Sequence, residues 1–334
     1  MRKIRIAQIG TSINSHGEAI RKSLCKQNDL FEFVGYALPE NEREKFPVQA
    51  AKFEGLREMT VEEILNDPTI EAVAVETEEK YLTKYATMVA RAGKHMHMEK
   101  PGSASLADFE QLIETVRANK LVFHTGYMYR YNPEVIALMD EIRRGELGEI
   151  VCVEAQMNCY HNVEIRRWLE GYEGGMMFFL GCHLVDLILQ IQGEPKQIIP
   201  MNRRTGIDGT NAVDFGMALF DYGDRVSFAK TIDVEVGGYA RRQLVVVGTK
   251  KTVELKPLER SAGAGTGLQF TGATEYAELD WHDHGTYHQS ELHNRYDAMM
   301  ASFAAMVRGE KKNPWDYDYE LMLYKTVLKA CGIQ

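Results

Sequence analysis

The sequence predicts an α/β fold with two domains: an N-terminal Rossmann domain, a doubly wound parallel sheet, and a C-terminal α+β domain with a large, mostly antiparallel open sheet. Over residues 1–125 short apolar runs alternate with helical patterns, as in successive βαβ units. From about residue 150 long strand patterns are joined by tight turns. The 334 residues, 45% of them hydrophobic, suffice for two packed cores. We therefore predict a dinucleotide-binding domain over 1–125 and a substrate-binding and oligomerisation domain over 126–334, whose last helix packs back on the first domain.

The elements of the first domain follow in a regular order. Strand patterns are present in the segments IRIAQIG, FEFVGYAL, IEAVAVET, KHMHME and LVFHTGY. Helical patterns lie near residues 17–27 and in the segments VEEILND, LTKYATMVARAG and SLADFEQLIETVRANK. Gly93 follows the third of these helices, and glycine readily takes the left-handed conformation at a helix end.

In the second domain the pattern changes to hairpins. The segments AVDFGMALFDYGDRVSFAKTIDV and QLVVVGTKKTVEL each contain two strand patterns. Glycine-containing turns at residues 222–224 and 248–249 interrupt them, which is typical of hairpin loops. Further helical patterns are present in GCHLVDLILQI, RYDAMMASFAAMVRG and DYELMLYKTVLKACG.

The composition excludes several classes of function. The chain has 39 basic and 48 acidic residues and a net charge of −9, so we expect no nucleic-acid partner. No apolar run approaches the roughly eighteen residues of a membrane helix, and the first residues enter a strand pattern directly, so we expect a cytoplasmic protein without a membrane partner. The five cysteines are widely scattered, which indicates neither disulfides nor a zinc site. His282 and His284 would share one face of a strand, as metal ligands can, but their spacing fits no familiar zinc pattern, and we predict no metal.

Four segments carry a resemblance to a known family. AGKHMHMEKP, GYMYRYNPEV, RRGELGEIV and GGMMFFLGCHLVD occur in an order and spacing similar to those of the Gfo/Idh/MocA oxidoreductases, which include glucose–fructose oxidoreductase and inositol dehydrogenase. The resemblance covers nearly the whole chain. It implies an NAD(P)-binding Rossmann domain followed by a domain that supplies the substrate pocket. The implied cofactor is NAD, with NADP not excluded.

The segment HMHMEKP places Glu99 and Lys100 where a parallel strand ends, and ligands of doubly wound sheets bind beyond those ends. Pro101 disfavours helical geometry for the lysine and keeps it extended. An ammonium group there can hydrogen-bond the reacting oxygen of a substrate and stabilise developing negative charge. The alternative is a surface lysine in a loop. The resemblance favours a catalytic role for Lys100.

The segment GCHLVD places His183 and Asp186 three residues apart, on one face of a helix. Asp186 can hold the imidazole in one tautomer while His183 takes a hydroxyl proton, so we predict that both are catalytic. The resemblance gives the histidine this task or a substrate contact. Alternatively, His183 only satisfies local hydrogen bonds at the helix start.

Further substrate contacts are expected at the start of the second domain. In GYMYRYNP, Tyr129, Arg130 and Asn132 fall where the two domains should meet, and such clefts are favoured ligand sites. These residues either bind sugar hydroxyls or position the second domain. The predicted substrate residues are Tyr129, Arg130, Asn132, Phe179 and His183.

Three positions depart from the family pattern. The phosphate loop reads GTSINS, with Ser12 and Ser15 in place of two glycines, and Ser15 with Glu18 forms a capping-box pattern. Leu38 stands where an acidic residue commonly binds the ribose, and a leucine cannot accept a hydrogen bond. Phe179 replaces an aspartate four residues before the histidine, and a phenyl ring cannot carry charge. The predicted cofactor-binding residues are Gly10, Thr11, Ser12, Ile13, Leu38, Thr77, Glu99 and Lys100.

The resulting prediction is an NAD(P)-dependent dehydrogenase acting on CH–OH groups of a sugar, glycoside or cyclic polyol. One alternative is a redox-assisted glycoside lyase or hydrolase with retained NAD. Another is a non-catalytic sugar- or nucleotide-sensing protein, which the three departures favour. The long hydrophobic strands between residues 212 and 255 predict a homodimer or homotetramer.

Overall fold

The computed structural model describes residues 2–263 and 266–333. These residues form two compact units. The first contains the chain up to Tyr127 together with Tyr296–Met322, and the second contains Met128–Arg295 and the chain from Leu323 onward. The division of the chain at residue 125 remains a proposal.

The first unit is built on a parallel sheet. Its strands are β1 (Ile4–Ile9), β2 (Phe31–Ala37), β3 (Ala72–Val75), β4 (His95–Met98) and β5 (Phe123–Thr125). Its helices over this part of the chain are α1 (Gly17–Lys26), α2 (Glu42–Lys45), α3 (Pro47–Ala50), α4 (Val61–Asn66), α5 (Glu79–Arg91) and α6 (Leu106–Ala118). The strand order is β2-β1-β3-β4-β5, with every neighbouring pair parallel. The predicted Rossmann fold is therefore confirmed.

Local sequence explains where these elements begin and end. All four residues of β3 are buried, as expected for a strand of a parallel sheet with both faces covered. Thr60 and Glu63 form a capping box at the start of α4. Gly93, just beyond α5, has a φ of +70°, the left-handed conformation predicted for it.

The parallel arrangement gathers the carboxyl ends of the strands along one edge of the sheet. β1 is followed by Gly10, β2 by Leu38, β3 by Glu76 and β4 by Glu99. Ligands of doubly wound sheets bind beyond this edge. The cofactor-binding residues predicted from the sequence therefore follow the ends of neighbouring strands.

The second unit contains a mostly antiparallel sheet. Its helices up to residue 192 are α7 (Pro133–Arg143), α8 (Val163–Glu170) and α9 (Cys182–Gln192). Its strands up to residue 255 are β6 (Ile150–Gln156), β7 (Gln197–Pro200), β8 (Phe215–Asp221), β9 (Val226–Ile232), β10 (Gln243–Gly248) and β11 (Thr252–Leu255). The strands further along the chain are β12 (Arg260–Ser261), β13 (Leu268–Phe270), β14 (Gly272–Tyr276), β15 (Thr286–Gln289) and β16 (His293–Asn294).

The order of the larger sheet is β15-β14-β11-β10-β6-β9-β8-β7 over the residues described, while β12, β13 and β16 pair separately. The hairpins β8–β9 and β10–β11 are the two predicted from their turns. Neighbouring strands are antiparallel except β6 and β9. Burial alternates along β8, β9 and β10, so one face of this sheet packs on the interior of the unit.

Two helices complete the described chain: α10 (Asp297–Val307) and α11 (Tyr317–Cys331). Both were predicted as helices. Within the first unit, the Asp297 carboxylate accepts hydrogen bonds from the Ser23 hydroxyl at 2.8 Å and from Lys26 Nζ at 2.6 Å. These contacts attach the start of α10 to α1.

A π-helical turn, Met177–Gly181, runs directly into α9. Such turns are rare and are frequent at functional sites. Gly175 precedes this turn with a φ of +53°, and a Cβ there would lie 2.3 Å from the Val213 carbonyl oxygen. Only glycine fits, because any side chain would collide with backbone.

We predict that Gly175→Ala is more destabilising than a glycine substitution in open space. Gly206 also has a positive φ, of +72°, but no atom lies within 4 Å of the position that a Cβ on it would occupy. Gly206→Ala should therefore lower the free energy of unfolding only by the backbone strain, about 1–2 kcal/mol. Gly175→Ala should lower it by about 1–3 kcal/mol more, because its Cβ would collide with the Val213 carbonyl oxygen. Urea denaturation of both variants measures the difference, and equal losses would contradict the role of close packing.

Candidate active site

Lys100 follows β4 in the first unit. It is 2% exposed, and its Nζ lies 3.6 Å from Glu99 Oε1. The lysine is therefore not the surface lysine that was considered as its alternative role. A buried amine held beside a carboxylate has a defined position from which it can act on a ligand at this edge of the sheet.

Glu99 connects this lysine to a histidine. Its Oε2 lies 3.3 Å from His16 Nδ1, and the His16 side chain is 27% exposed while that of Glu99 is 3% exposed. Burial raises the pKa of the Glu99 carboxyl, but His16 and Lys100 outweigh that effect and bring the pKa below its usual value. Glu99 is therefore ionised and orients the ammonium group.

Four other buried glutamates lie at or near the same edge: Glu42, Glu76, Glu78 and Glu79. Burial raises the pKa of Glu42 to about 8 and that of Glu79 to about 7. Burial, reinforced by the negative charge of Glu99, also holds the pKa of Glu76 well above its ordinary value. The edge thus carries much less negative charge at neutral pH than the sequence alone implies.

The phosphate loop is closed by its own serines. Ser12 N donates to Ser15 Oγ, and Ser15 N donates to Ser12 Oγ, both at 2.9 Å. The predicted capping box of Ser15 and Glu18 is wrong: the N-cap of α1 is His16 without a side-chain cap, and Glu18 pairs with Lys22 instead. The Ser15 hydroxyl is directed back into the loop, which prevents it from capping α1 as the sequence pattern suggested.

The other cofactor-binding candidates have clear positions. Gly10 has a φ of +92°, and a Cβ on it would lie 2.4 Å from Thr77 Cγ2, so β1 can turn here only with glycine. Thr11 N donates to Glu42 Oε2 at 3.0 Å. Ile13 is 53% exposed at the tip of the loop. Gly10 and Thr77 are thus brought together by adjacent strands.

Leu38 lines a cavity of about 480 Å³ in the first unit, together with Met59, Tyr85 and Met88 among others. Glu58, Glu62 and Lys84 also line this cavity, so its wall combines an apolar surface for a flat ring with charged groups that can meet polar substituents. Glu40 is close by: its Oε1 accepts hydrogen bonds from Lys84 Nζ at 2.6 Å and from the Tyr85 hydroxyl at 2.8 Å. An acidic side chain therefore follows Leu38 in a fixed position.

The residues present fit a dinucleotide. Gly10 allows the tight turn that brings the loop against Thr77, and residues 12 and 15 are small enough to let a pyrophosphate approach the backbone. Their hydroxyls accept hydrogen bonds from backbone amides of the loop and, for Ser15, also from Gly17 N at the start of α1, and they can rotate toward a phosphate oxygen. The protonation of Glu42 also removes a charge that would repel it.

In the second unit, His183 lies in the first turn of α9 and is 1% exposed. The ring of Tyr129 packs edge-on against the imidazole, with ring centroids 5.5 Å apart. The Tyr129 hydroxyl donates to Glu259 Oε1 at 3.0 Å, and burial raises its pKa well above the usual value. Tyr129 is therefore a neutral donor that positions the histidine ring.

Asp186 is held by a guanidinium group. Arg130 Nε donates to Asp186 Oδ2 at 2.9 Å and Arg130 Nη2 to Oδ1 at 2.8 Å, and both side chains are 1% exposed. Gln190 Nε2 also donates to Oδ2, at 2.9 Å. The bidentate pair fixes the Asp186 carboxylate one turn below His183, and it uses the Nε and one Nη2 donor of Arg130 within the protein itself.

Asn132 has a structural task. Its Oδ1 accepts from the backbone of Glu134 and Val135 at the start of α7, and its Nδ2 donates to Leu258 O and Thr271 Oγ1. All four hydrogen-bonding positions of the amide are thus used within the unit. This arrangement favours the positioning role over the substrate contact, two alternatives that the sequence left open.

Phe179 packs among aromatic rings. Its ring centroid lies 5.3 Å from Trp168, 6.0 Å from His161 and 6.1 Å from Tyr172. Burial, with Arg242 and Arg166 nearby, lowers the pKa of His161 to about 4, so this imidazole is neutral. Where the family pattern has a carboxylate, the chain thus provides an apolar surface suited to the face of a ring.

The histidine segment near residue 282 does not have the predicted geometry. His282 and His284 lie before β15, not within a strand, and both are exposed. Among the residues described, no group of three or more His, Cys, Asp or Glu side chains is arranged to hold a metal ion. In the same part of the chain, no helix is both long and apolar enough to cross a membrane.

Sequence reasoning missed several buried polar residues. Glu76 could have been noticed, because an acidic residue directly after the apolar strand AVAV is unusual. Asp233 likewise follows the strand pattern SFAKTI. No sequence signal distinguishes Glu42 within the acidic run PENERE, and none marks Arg166 or Glu259.

The fold and the edge of its sheet define the class: a Rossmann domain built to bind a dinucleotide, joined to an open-sheet domain. Residues 4–127 match the family model described as "Oxidoreductase family, NAD-binding Rossmann fold". Residues 135–254 match the model of the GFO/IDH/MocA C-terminal domain. The two models describe the two domains of one family and together span most of the chain. The protein belongs to the Gfo/Idh/MocA oxidoreductase family, and its cofactor is NAD(P).

Two relatives of this chain are named as dehydrogenases. The chain is 29% identical over 165 residues to the scyllo-inositol 2-dehydrogenase (NADP(+)) IolW of Bacillus subtilis (strain 168), covering 49% of this chain and 46% of the relative. It is 26% identical over 244 residues to the trans-1,2-dihydrobenzene-1,2-diol dehydrogenase of Macaca fascicularis, covering 67% and 70%. The chain thus spans about half the length of the bacterial relative.

A solved structure of levoglucosan dehydrogenase in complex with NADH and levoglucosan superposes with a TM-score of 0.80 at 14% identity. The superposition covers 99% of this chain and 98% of the other. A likeness at this identity establishes the shared fold.

We predict that separating the Arg130–Asp186 pair strongly destabilises the protein. Arg130→Met leaves an uncompensated carboxylate in the interior and should lower the free energy of unfolding by about 3–5 kcal/mol. The double variant Arg130→Met, Asp186→Leu should recover part of the loss, because no buried charge remains. Arg143→Ala, whose side chain is 71% exposed, is the control and should change little. Urea denaturation in which the double variant is less stable than Arg130→Met would contradict this account.

We predict a pH-dependent stability difference between the wild type and Glu42→Gln. The pKa of Glu42 is about 8 in the folded protein, against 4.5 ordinarily. Between these values the folded state binds a proton that the unfolded state does not, so the free energy of unfolding falls as the pH rises. Glutamine does not titrate. The free energy of unfolding of the variant should therefore rise relative to that of the wild type between pH 5 and pH 8, by at most about 1.4 kcal/mol per pH unit.

Denaturation midpoints at four pH values across this window measure the effect. Glu54→Gln makes the same chemical change at an exposed position and should parallel the wild type. Parallel curves for wild type and Glu42→Gln would show that Glu42 is ionised in the folded protein.

Proposed function

We propose that the protein is an NAD-dependent dehydrogenase that transfers hydride between nicotinamide and a secondary alcohol or ketone of a sugar, glycoside or cyclic polyol. The observation that carries the proposal is the buried Lys100 ammonium group, held by Glu99 at the ligand-binding edge of an NAD-binding fold. The names of the relatives support the substrate class, since they specify an inositol, a cyclic diol and levoglucosan.

In this reaction the bound nicotinamide supplies the site that accepts or returns the hydride. Lys100 hydrogen-bonds the reacting oxygen and stabilises the negative charge that develops on it. Glu99 orients that lysine. The imidazole of His183 takes the hydroxyl proton, and Tyr129 fixes the plane of the ring. Asp186 acts with Arg130 to hold the start of α9 in place.

NAD is the proposed cofactor in preference to NADP because the cations near the end of β2 are already paired. Arg43 Nη2 donates to Glu58 Oε2 at 2.6 Å, and Lys84 Nζ donates to Glu40 Oε1 at the same distance. A 2′-phosphate would have to displace one of these carboxylates, whereas a 2′-hydroxyl can donate to Glu40. Glu40 then performs the task that Leu38 cannot.

We also propose that the protein forms a homo-oligomer through the second unit. The face of the larger sheet opposite its buried side carries half-exposed apolar residues, among them Met217 and Leu219 on β8. An apolar surface of this kind is typical of an interface between subunits. The number of subunits follows from light scattering of the purified protein.

A non-catalytic sensor is the second candidate, because Phe179 packs among aromatic rings and provides no carboxylate beside the histidine. A redox-assisted lyase or hydrolase is a variant of the main proposal, in which hydride transfer is transient and NAD is regenerated. Turnover without net NAD reduction would distinguish it.

We predict that Lys100→Met strongly lowers turnover without abolishing cofactor binding. NAD should raise the thermal midpoint of both wild type and variant by mass action, more than NADP does. NAD reduction by the wild type is followed by its absorbance with inositols, anhydrosugars and glycosides as substrates. The variant should lose about 10²–10⁴-fold in kcat, because the charge on the reacting oxygen is no longer stabilised.

Lys312→Met, at an exposed position, is the matched control and should retain activity. Wild-type protein that shows no thermal shift with either cofactor would overturn the dehydrogenase proposal. A shift without turnover on any of these substrates would favour the sensor, and full activity of Lys100→Met would remove the lysine from the mechanism.

A further inference from the structure

The backbone amides of the phosphate loop are largely committed within the protein. In a Rossmann fold these amides ordinarily donate to the pyrophosphate of the dinucleotide. Here the amides of residues 11, 12, 14, 15 and 17 each donate to a side-chain oxygen of Glu42, Ser12 or Ser15, at distances of 2.9–3.4 Å. The amide of Gly10 donates to Ala37 O at 2.8 Å. A pyrophosphate at this loop therefore needs a donor besides these amides.

His16 supplies a donor directly after the loop. It is the N-cap residue of α1, and its side chain makes no capping hydrogen bond. The imidazole is directed instead toward the end of β4, where its Nδ1 lies 3.3 Å from Glu99 Oε2. The side chain is 27% exposed, so part of the ring is accessible to a ligand.

An ionised carboxylate connects this imidazole to Lys100. Burial alone would raise the pKa of Glu99, but His16 and Lys100 bring that pKa below its usual value. The Lys100 amine lies 3.6 Å from Glu99 Oε1, while the imidazole faces Oε2. Glu99 therefore has one oxygen on each partner. A ligand that fixes His16 also fixes Glu99, and through it Lys100.

Three further ionisable side chains lie near the imidazole. Glu76 follows β3 and lies against the start of α1, since a Cβ on Gly17 would lie 3.2 Å from Glu76 Cβ, and burial holds the pKa of Glu76 well above its ordinary value. Burial lowers the pKa of His97 on β4 to about 4, and the charge of the imidazole acts in the same direction. The ring of Tyr296 packs 5.3 Å from the imidazole. Near neutral pH Glu76 is protonated and His97 is neutral, so the carboxylate charge that the imidazole meets here is that of Glu99.

We propose that His16 binds the pyrophosphate of the dinucleotide as an imidazolium and couples it, through Glu99, to Lys100. Nε2–H donates to a phosphate oxygen, and Nδ1–H donates to Glu99 Oε2. Phosphate and carboxylate both favour the protonated ring, so cofactor binding takes up a proton at His16. With respect to Lys100, His16 is a positioning residue. The inference goes beyond the proposed function, since it concerns cofactor binding and not the substrate.

The proposal accounts for the serines of the loop. A glycine-rich loop presents its amides to a phosphate, whereas Ser12 and Ser15 draw these amides to their own hydroxyls. A side-chain cation next to the loop restores the attraction for the phosphates. A charged donor also makes a hydrogen bond about twice as strong as a neutral donor does.

Titration calorimetry of the full chain measures the affinity and the proton uptake together. NADH, NADPH and ADP-ribose are titrated in two buffers of different ionisation enthalpy, across about pH 5.5–8.5, the range in which histidine side chains change charge. The wild type should take up protons on binding and should bind more weakly as the pH rises. ADP-ribose should behave as the preferred cofactor does, because it has the pyrophosphate and lacks the nicotinamide.

His16→Gln keeps a neutral donor and removes the charge. At the acidic end of this range it should weaken the binding of the preferred cofactor and of ADP-ribose about ten- to hundredfold, because a hydrogen bond to a charged group is lost. Its proton uptake should fall, and so should that of Glu99→Gln, in which the imidazolium has no carboxylate. Glu42 and Glu79 titrate in the same range, so the difference between wild type and variant is the quantity measured. His282→Gln, at an exposed histidine, is the matched control and should bind as the wild type does.

His16→Gln protein that binds ADP-ribose with unchanged affinity, or that takes up as many protons as the wild type, would overturn the proposal. Wild-type protein that binds none of the three probes would do the same. A loss confined to NADH and NADPH would place His16 at the nicotinamide and would also overturn it. Circular dichroism verifies that each variant folds. If His16→Gln does not fold, Glu99→Gln decides, since proton uptake equal to that of the wild type contradicts the coupling.

Turnover separates this inference from the proposed function. If the wild type binds the cofactor with proton uptake that depends on His16 but oxidises no substrate, the inference stands and the dehydrogenase fails. If the wild type turns over and cofactor binding does not depend on His16, the dehydrogenase stands and the inference fails. In an active enzyme, His16→Gln at saturating cofactor should lower kcat more than it changes the substrate KM, because Lys100 is less well fixed. An unchanged kcat would overturn the coupling to Lys100.

Discussion

The constraint on which this structure depends is that charges buried in each unit must be neutralised within that unit. In the first unit Lys100 is balanced by Glu99, while Glu42 and Glu79 take up protons because burial raises their pKa values. In the second unit the guanidinium of Arg130 donates two hydrogen bonds to the Asp186 carboxylate. Each functional group is thus fixed by an opposite charge or by a bound proton, which gives it one orientation.

The same constraint explains the chemistry that each unit can perform. A lysine that is excluded from water can interact strongly with a developing oxyanion, since little solvent competes. Glu259 fixes Tyr129, and Tyr129 in turn packs against His183. Burial raises the pKa of Glu259, but Arg295 and Arg242 outweigh it and keep that pKa low, so the chain of contacts ends on a stable anion. The orientation of His183, the proposed proton acceptor, therefore depends on residues for which no contact with the substrate is proposed.

Sequence patterns were sufficient for the fold and for the order of strands whose ends meet along one edge of the first sheet, because both depend on local features. Alternating strands and helices identified the parallel sheet, and the position of Lys100 after a strand placed it at the ligand-binding edge. Sequence patterns did not predict which residues from different parts of the chain contact one another. Nothing in the sequence places Glu42 beside the amide of Thr11, since the two are separated by 31 residues and meet only through the strand order. The contact between His16 and Glu99 was missed for the same reason.

The aromatic surroundings of Phe179 limit which side chains this position can accept. An aspartate there would lie among Trp168, Tyr172 and His161, and its charge would be balanced within this group of rings only if the imidazole took up a proton. Burial opposes that proton, because it lowers the pKa of His161 to about 4. The phenyl ring therefore lets the neighbouring imidazole stay neutral, and an acidic residue in its place would make the packing of this region sensitive to pH.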